Sequence, residues 1–134
     1  MTKLAEIDAQ PTVAVKSLDR AKAFYGEVLG LRPVGPSMPT VQTYLAGRTV
    51  IVVYESRFAG TGQATAITWS LGSGFDQAVR ELQSKAVSFE HYDMPGVSRN
   101  GDVHEAGGMK LAWFKDPDGN IIHIGNYGHR GGER

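Results

Sequence analysis

The stretch that decides the fold of this chain is residues 113–124, Trp113-Phe114-Lys115-Asp116-Pro117-Asp118-Gly119-Asn120-Ile121-Ile122-His123-Ile124. This pattern predicts a strand, a tight turn and a second strand. Pro117 presets the backbone angle at the second turn position, Asp118 can bond its own backbone, and Gly119 relieves the exit from the turn. One ionisable residue, His123, interrupts the apolar second strand.

A strand followed by a helix is predicted near the start of the chain, over residues 13–31. Val13 and Val15 alternate with small or polar neighbours, as in a half-buried strand. Ser17 or Asp19 can cap the helix that follows. The apolar residues after the cap recur at helical spacing on one face, namely Ala21, Phe24, Tyr25, Val28 and Leu29.

Together these two segments resemble the vicinal oxygen chelate superfamily, which includes glyoxalases, extradiol dioxygenases, and fosfomycin and bleomycin resistance proteins. The resemblance extends over most of the chain, from about residue 10 to residue 124. It implies an α+β fold in which two βαβββ modules form an open, barrel-like cup around one central site. Because this fold hosts many activities, the resemblance specifies the fold far better than the reaction.

A second strand and helix begin near residue 65, and their pattern matches that of the first. Ser73 is predicted to cap the second helix, with Asp76 completing a capping box. The second half should continue with strands at about 87–92, 109–115 and 120–126. We therefore predict one domain with a first module at about 8–58, a linker at about 59–64 and a second module at about 65–127.

The composition limits the possible partners and chemistry. The chain has 134 residues, with 14 basic and 14 acidic side chains and no cysteine. A neutral chain gives no reason to expect nucleic acid or an anionic membrane as a partner, and thiol chemistry is excluded. No apolar stretch approaches the length of a membrane span, and residues 1–10 do not resemble a signal peptide. We expect a cytoplasmic protein.

The resemblance also implies a divalent metal, such as zinc, nickel, iron or manganese, bound by the first and last strands of each module. Counting along the sequence assigns these four positions to Gln10, Ala66, His123 and Ile51, or to Val52 if the register shifts by one. Alanine and isoleucine cannot bind a metal, and two remaining ligands are fewer than catalytic sites usually supply. No resident metal is therefore expected.

Other side chains could still complete a metal site or act as acids and bases. Glu55 shares the parity of Ile51 and could reach the cup, giving Gln10, His123 and Glu55 as an alternative ligand set. His104 and Glu105 precede two glycines, and the pair could form a mobile acid–base dyad over the pocket or an exposed loop. His91 is expected at the surface, and His129 in a solvated tail.

Strand alternation predicts which side chains line the cup. The expected lining is Gln10, Thr12, Ala14, Ala66, Thr68, Ser70, Ile121 and His123, while Val13 and Trp69 face outward. Small side chains at these positions leave space for an apolar or aromatic ligand, unless Met38, Met109 or aromatic side chains fill it.

Two functions are compatible with this pattern. The first is a binding protein similar to the bleomycin resistance branch, holding a small hydrophobic or aromatic molecule without a metal and using His123 as a neutral hydrogen-bonding group. The second is a lyase, isomerase or dioxygenase, either metal-dependent or using His123 as general base. The resemblance and the glycine-containing linker also predict a homodimer.

Overall fold

The structure is a computed structural model and describes residues 4–6, 10–36 and 38–127. The chain divides into two compact units, residues 1–61 and residues 62–134, and each has its own sheet and helix. His129 and the tail around it lie outside the described residues. Among the described residues, no helix has the length and apolar character needed to cross a membrane.

The first unit has the order βαβββ. After a short 3-10 turn at Leu4–Glu6 come β1 (Thr12–Val15), α1 (Leu18–Ala21, continued as a π-helix over Lys22–Val28), β2 (Arg32–Val34), β3 (Val41–Ala46) and β4 (Thr49–Glu55). The sheet order is β1-β4-β3-β2, with β1 parallel to β4 and the other pairs antiparallel.

One face of the first sheet is buried beneath the helix. The register pairs Val13 with Val53, which places Val13, Val53 and Tyr44 on this face. All three are buried, and the Tyr44 ring lies 6.1 Å from the ring of Tyr25 on the helix. The opposite face therefore carries the alternate residues of β1 and β4.

Ser17 rather than Asp19 caps the first helix. Its Oγ accepts a hydrogen bond from the Arg20 amide at 3.3 Å. A second acceptor comes from the end of β4, where Glu55 Oε2 accepts from the Leu18 amide at 3.0 Å. Both bonds satisfy amides that the first helical turn leaves without partners.

The second unit begins with β5 (Thr65–Ser70), a 3-10 turn (Gly72–Gly74), α2 (Phe75–Ser84) and β6 (Phe89–Glu90). It continues with β7 (Ser98–Asn100), β8 (Val103–Ala106), β9 (Met109–Lys115) and β10 (Ile121–Gly125). The sheet order is β5-β10-β9-β8-β7, and β6 pairs with β9. As β4 does in the first unit, β10 runs parallel to the first strand of its unit and antiparallel to the preceding one.

Two local predictions for the second unit were wrong. Gly74, at the end of the 3-10 turn, takes the N-cap position of α2 instead of Ser73. A hairpin, β7 and β8, occupies residues that were expected to form a loop. The pair Gly107-Gly108 joins β8 to β9 with φ angles of 56° and 86°, the left-handed conformation that two-residue hairpin turns require.

The predicted turn between β9 and β10 is present, and Asp116 holds it. Asp116 Oδ1 accepts hydrogen bonds from the amides of Asp118 and Asn120, each at 2.9 Å. The Asp116 amide also donates to the Asn120 carbonyl oxygen at 2.9 Å. Asp116 therefore fixes the turn and with it the register of β9 against β10.

Candidate functional site

His123 lies in the middle of β10, between β5 and β9, and is only 7% exposed. Its Nδ1 is 3.0 Å from the carbonyl oxygen of Ala112. Because a carbonyl oxygen can only accept, Nδ1 must donate this hydrogen bond. In the neutral ring Nε2 then carries a lone pair, and it accepts a hydrogen bond from the Tyr127 hydroxyl at 3.0 Å.

Burial lowers the pKa of His123 below its ordinary value, since removal from water disfavours the charged ring. The hydrogen bond to the Ala112 carbonyl acts in the opposite direction, and the nearby His104 lowers the pKa further. The net direction is downward, so His123 is neutral at physiological pH.

Aromatic rings enclose the imidazole. The Trp113 ring stacks against it with centroids 4.7 Å apart and planes 28° apart. The Tyr127 ring also stacks against it, at 5.8 Å and 21°. Trp113 is the cross-strand neighbour of His123, a pair in which side chains share one face of the sheet.

The position of Tyr127 depends on the absence of a side chain at Gly125. A Cβ atom built at residue 125 would overlap Cε1 and Cδ1 of the Tyr127 ring. The bare backbone of β10 at Gly125, which we call the seat, therefore has no side chain of its own above it. The Tyr127 ring lies over this seat and reaches His123, which is two residues before Gly125 on the strand.

His104 and Glu105 do not form a mobile dyad, and that prediction was wrong. Both lie in β8, where neighbouring side chains point to opposite faces. His104 is fully buried, and its Nε2 accepts a hydrogen bond from the Tyr92 amide at 2.9 Å. Its ring contacts Trp113 edge to face, with centroids 4.9 Å apart. His104 therefore helps to hold the Trp113 ring in place against His123. Within the described chain, His104 Nδ1 has no hydrogen-bond partner.

His91 is exposed, as expected, and belongs to a polar cluster next to the β7–β8 hairpin. Its Nε2 lies 2.7 Å from Asp102, and its Nδ1 lies 3.3 Å from Arg99. The hydrogen bond from His91, helped by one from Gln83, lowers the pKa of Asp102 despite partial burial. This cluster stabilises the hairpin.

Two of the predicted lining residues of the second unit pair with residues on the face that carries His123: Thr68 pairs with His123 and Ser70 with Gly125. Ala66 lies at an irregularity, because the register of β10 against β5 shifts between Ile121 and Ile122. Ala66 and Thr68 are exposed, Ser70 is half-buried, and Ile121 is buried. Small, accessible side chains therefore lie next to the aromatic stack.

The predicted lining residues of the first unit lie opposite its helix. Thr12 and Ala14 alternate with the buried Val13 and Val15; Thr12 is exposed and Ala14 half-buried. Gln10 precedes β1 and is exposed.

Of the two registers left open for β4, the structure has the one that places Val52 rather than Ile51 opposite the helix. Ile51 and Glu55 share the face of Val53, which is covered by the helix, whereas Val52 pairs with Thr12 on the other face. A shift of one residue transfers every side chain of a strand to the opposite face. One carboxylate oxygen of Glu55 is moreover engaged by the Leu18 amide.

The residues present do not fit the metal that the family resemblance implies. Valine, alanine and an exposed neutral amide occupy three of the four positions, and the fourth, His123, has its available nitrogen bonded to Tyr127. Among residues 4–6, 10–36 and 38–127, no three His, Asp or Glu side chains are grouped as metal ligands would be.

Comparison with known proteins gives the family. Residues 8–124 match the Glyoxalase/Bleomycin resistance protein/Dioxygenase superfamily, and the chain belongs to it. This membership, with a mixed sheet and a helix in each unit, confirms the predicted α+β fold class. No curated protein is similar enough in sequence to match.

Solved structures agree on the fold at low sequence identity. A lactoylglutathione lyase from Agrobacterium tumefaciens is 19% identical with a TM-score of 0.66, covering 90% of this chain and 92% of that one. The fosfomycin resistance protein FosX from Mesorhizobium loti is 13% identical with a TM-score of 0.66, covering 92% and 93%. A glyoxalase/bleomycin resistance protein/dioxygenase from Alicyclobacillus acidocaldarius is 16% identical with a TM-score of 0.67, also covering 92% and 93%.

Sequence reasoning did not include Trp113 and Tyr127 in the site. A signal for Trp113 was available, because a turn closed between Asp116 and Asn120 places residue 113 opposite residue 123. The signal for Tyr127 was weaker: a glycine inside a strand marks close approach of another group, and an aromatic residue follows Gly125 two positions later.

Proposed function

We propose that this protein binds a small planar aromatic molecule at the His123 stack, without a metal. The observation that carries the proposal is a neutral histidine in contact with the rings of Trp113 and Tyr127, beside the small, exposed side chain of Thr68. Ligand sites are typically apolar and aromatic, with a few polar groups that orient the ligand. Here Trp113 supplies the aromatic surface and His123 the polar group.

The stacking geometry favours a flat ligand. The rings of Trp113, His123 and Tyr127 already lie in near-parallel planes. Each offset aromatic pair contributes about 0.5–1.5 kcal/mol of stabilisation beyond that from its buried area. Thr68, on the strand next to His123, is small and exposed, which suits a ligand that fills space left open by the protein.

A second candidate function uses His123 as a general base. Its Nε2 accepts from a hydroxyl at 3.0 Å, which is the reach that proton abstraction from a bound hydroxyl needs. A lyase, isomerase or dioxygenase of this family could use such a base, although a lowered pKa weakens it. A product formed from a hydroxylated aromatic compound and lost in His123→Ala would favour this function over binding alone.

The test uses Trp113 as a reporter. The chain has two tryptophans, and Trp69 pairs with Ile124 on the opposite face, so Trp69→Phe leaves one indole signal beside the site. We expect saturable shifts of the Trp113 indole N–H in nuclear magnetic resonance spectra when 4-methylphenol, indole or 2-naphthol is added. Probes that leave this signal unmoved at millimolar concentration would contradict the proposal.

The role of His123 is tested in the same background. His123→Ala should weaken binding about fivefold, the equivalent of one hydrogen bond of about 1 kcal/mol. His91→Ala is the matched control, since it removes an exposed histidine of the same unit and should leave affinity unchanged. Thermal melts identify any loss that comes from unfolding instead.

We further propose that the protein is a cytoplasmic homodimer. Among the strands that the structure describes, the outermost of each sheet, with one edge unpaired in that sheet, are β1 and β2 in the first unit and β5 and β7 in the second. Such edges favour pairing or covering by another chain. Light scattering should give twice the chain mass of 14.5 kDa at micromolar concentration, and a monomer mass would refute the dimer.

A further inference from the structure

We propose that the side chain of Tyr127 fills the place where the ligand binds, and that the ligand must displace it. The ligand is then a neutral aromatic molecule with a hydroxyl group. This inference rests on the proposed function, because it names the ligand class and the residue that controls access to the same site. Tyr127 itself has the features inferred for the ligand: a flat ring and a phenolic hydroxyl.

The first step of the argument is the hydrogen bonding of His123. Nδ1 is committed to the Ala112 carbonyl at 3.0 Å within the strand pair, so only Nε2 can meet a ligand. The Tyr127 hydroxyl already donates to Nε2 at 3.0 Å. Any ligand that bonds to His123 must therefore displace this hydroxyl.

The second step is the chemistry that Nε2 demands. A neutral imidazole with its proton on Nδ1 offers a lone pair at Nε2 and accepts one hydrogen bond there. A hydroxyl can donate to it, whereas a carboxylate or an ether oxygen can only accept. The site thus selects a phenol over the corresponding benzoate or methyl ether.

The third step is the shape of the seat. Tyr127 lies over Gly125 so closely that a Cβ atom at residue 125 would overlap the ring. When the ring leaves, it exposes a flat patch of backbone beside the His123 imidazole, with Thr68 and Ser70 on the neighbouring strand. That patch has the dimensions of the phenyl group that occupied it.

The fourth step is how Tyr127 can move. The neighbouring Asn126 is anchored to β9, because its amide donates to the Lys110 carbonyl at 3.1 Å and its Oδ1 accepts from the Lys110 amide at 2.9 Å. Tyr127 lies beyond the last residue of β10. Rotation of the Tyr127 side chain therefore opens the seat without breaking the hydrogen bonds of the sheet.

The experiment replaces the side chain with a free molecule that reproduces it. 4-Methylphenol is the side chain of tyrosine, and 4-methylanisole and 4-methylbenzoate lack the neutral hydroxyl donor. We expect Tyr127→Ala to bind 4-methylphenol at least tenfold more tightly than the wild-type protein does. The same change should raise affinity for 4-methylanisole by less than threefold and leave 4-methylbenzoate without binding. The Trp113 indole signal in the Trp69→Phe background measures all three.

Two further variants keep the test decisive. Tyr127→Phe retains the ring but not the hydroxyl, so its affinity for 4-methylphenol should fall between those of wild type and Tyr127→Ala. Adding Gly125→Ala to Tyr127→Ala fills the seat with a methyl group and should abolish the gain. Tyr127→Phe also covers the case in which Tyr127→Ala is poorly folded, since its gain in affinity for 4-methylphenol over wild type can be measured alone.

The outcomes separate this inference from the proposed function. Equal affinity of wild type and Tyr127→Ala for 4-methylphenol, or an equal gain for 4-methylanisole, overturns the role of Tyr127 while leaving an aromatic site in place. Absence of binding of every probe to every folded variant overturns the proposed function itself.

Discussion

The last strands of the two units, β4 and β10, have the same place in their sheets and very different chemistry. Each runs parallel to the first strand of its unit and antiparallel to the strand before it. β4 places Val52 on the face opposite the helix and uses Glu55 to satisfy an amide of α1. β10 carries a buried histidine in contact with two aromatic rings, and it ends in a glycine over which one of these rings lies.

This difference shows that topology and chemistry are specified separately. The buried aliphatic side chains of both strands maintain the sheets, and they recur in both units because both sheets need a helix-covered face. The site requires three further residues, Trp113, Gly125 and Tyr127. The fold alone does not require these residue types at these positions. The comparison therefore predicts that changes on the buried side act alike in both units, while changes around His123 act in one unit alone.

The largest effect should come from the shared buried positions. Ile122 and Ile51 are 0% and 2% exposed, and replacing either with alanine should cost about 2–5 kcal/mol through lost burial and the cavity left behind. Urea unfolding followed by circular dichroism measures the loss. If only one of the two substitutions is destabilising, β4 and β10 do not contribute equally to the stability of their sheets.

The next effect should be confined to the second unit. Gly125→Ala forces the Tyr127 ring from its place and should cost about 1–3 kcal/mol, as overpacking does. Gly62→Ala is the control, since a Cβ atom there meets nothing within 4 Å. In a Tyr127→Ala background the cost of Gly125→Ala should nearly vanish; an unchanged cost would mean that the clash with Tyr127 is not its source.

A smaller effect should appear in the dependence of stability on pH. The pKa of His123 is lower in the folded protein than its ordinary value of 6.5, so below that pH the unfolded chain takes up a proton that the folded protein resists. Stability from this source is complete above about pH 7.5 and declines as pH falls below about 6.5. His123→Phe should remove this decline, measured as the difference in unfolding free energy between wild type and variant from pH 5 to 8. Parallel curves for the two proteins would show that His123 does not resist protonation.

The smallest effect should be that of divalent metals. A metal that binds only the folded protein stabilises it by about 2.7 kcal/mol at a hundredfold excess over its dissociation constant. We expect no such shift in melting temperature on adding zinc, nickel or manganese, and no loss on adding EDTA. Elemental analysis of protein made without a histidine tag should find substoichiometric metal. One tightly held ion per chain would contradict this expectation.

Much of the fold could be predicted from the sequence because its signals are local. The alternation around Val13, the spacing of Phe24 and Tyr25, and the turn after Asp116 are each set by neighbours within a few residues. The β7–β8 hairpin was missed although its turn residues, Gly101-Asp102, are a hairpin signal. The glycines at 107 and 108, which join β8 to β9, were interpreted as a flexible loop.

The site was harder to predict because it depends on register and on close approach between distant residues. His123 stood out as the one ionisable residue in an apolar strand. The faces of Ile51 and Glu55 depended on a choice between two registers of β4, which counting along the sequence left open. Tyr127 reaches His123 only because residue 125 has no side chain, and no periodicity in the sequence reports that contact.

The measurement that tests the central claim most directly is the protonation of the His123 ring, followed by nitrogen-15 magnetic resonance during titration with 4-methylphenol. In metal-free protein at pH 7.5 we predict a neutral ring with its proton on Nδ1, and an Nε2 signal that moves as the probe binds, while the His91 signals stay in place. A proton on Nε2, or saturable binding that leaves the His123 signals unchanged, would contradict the account.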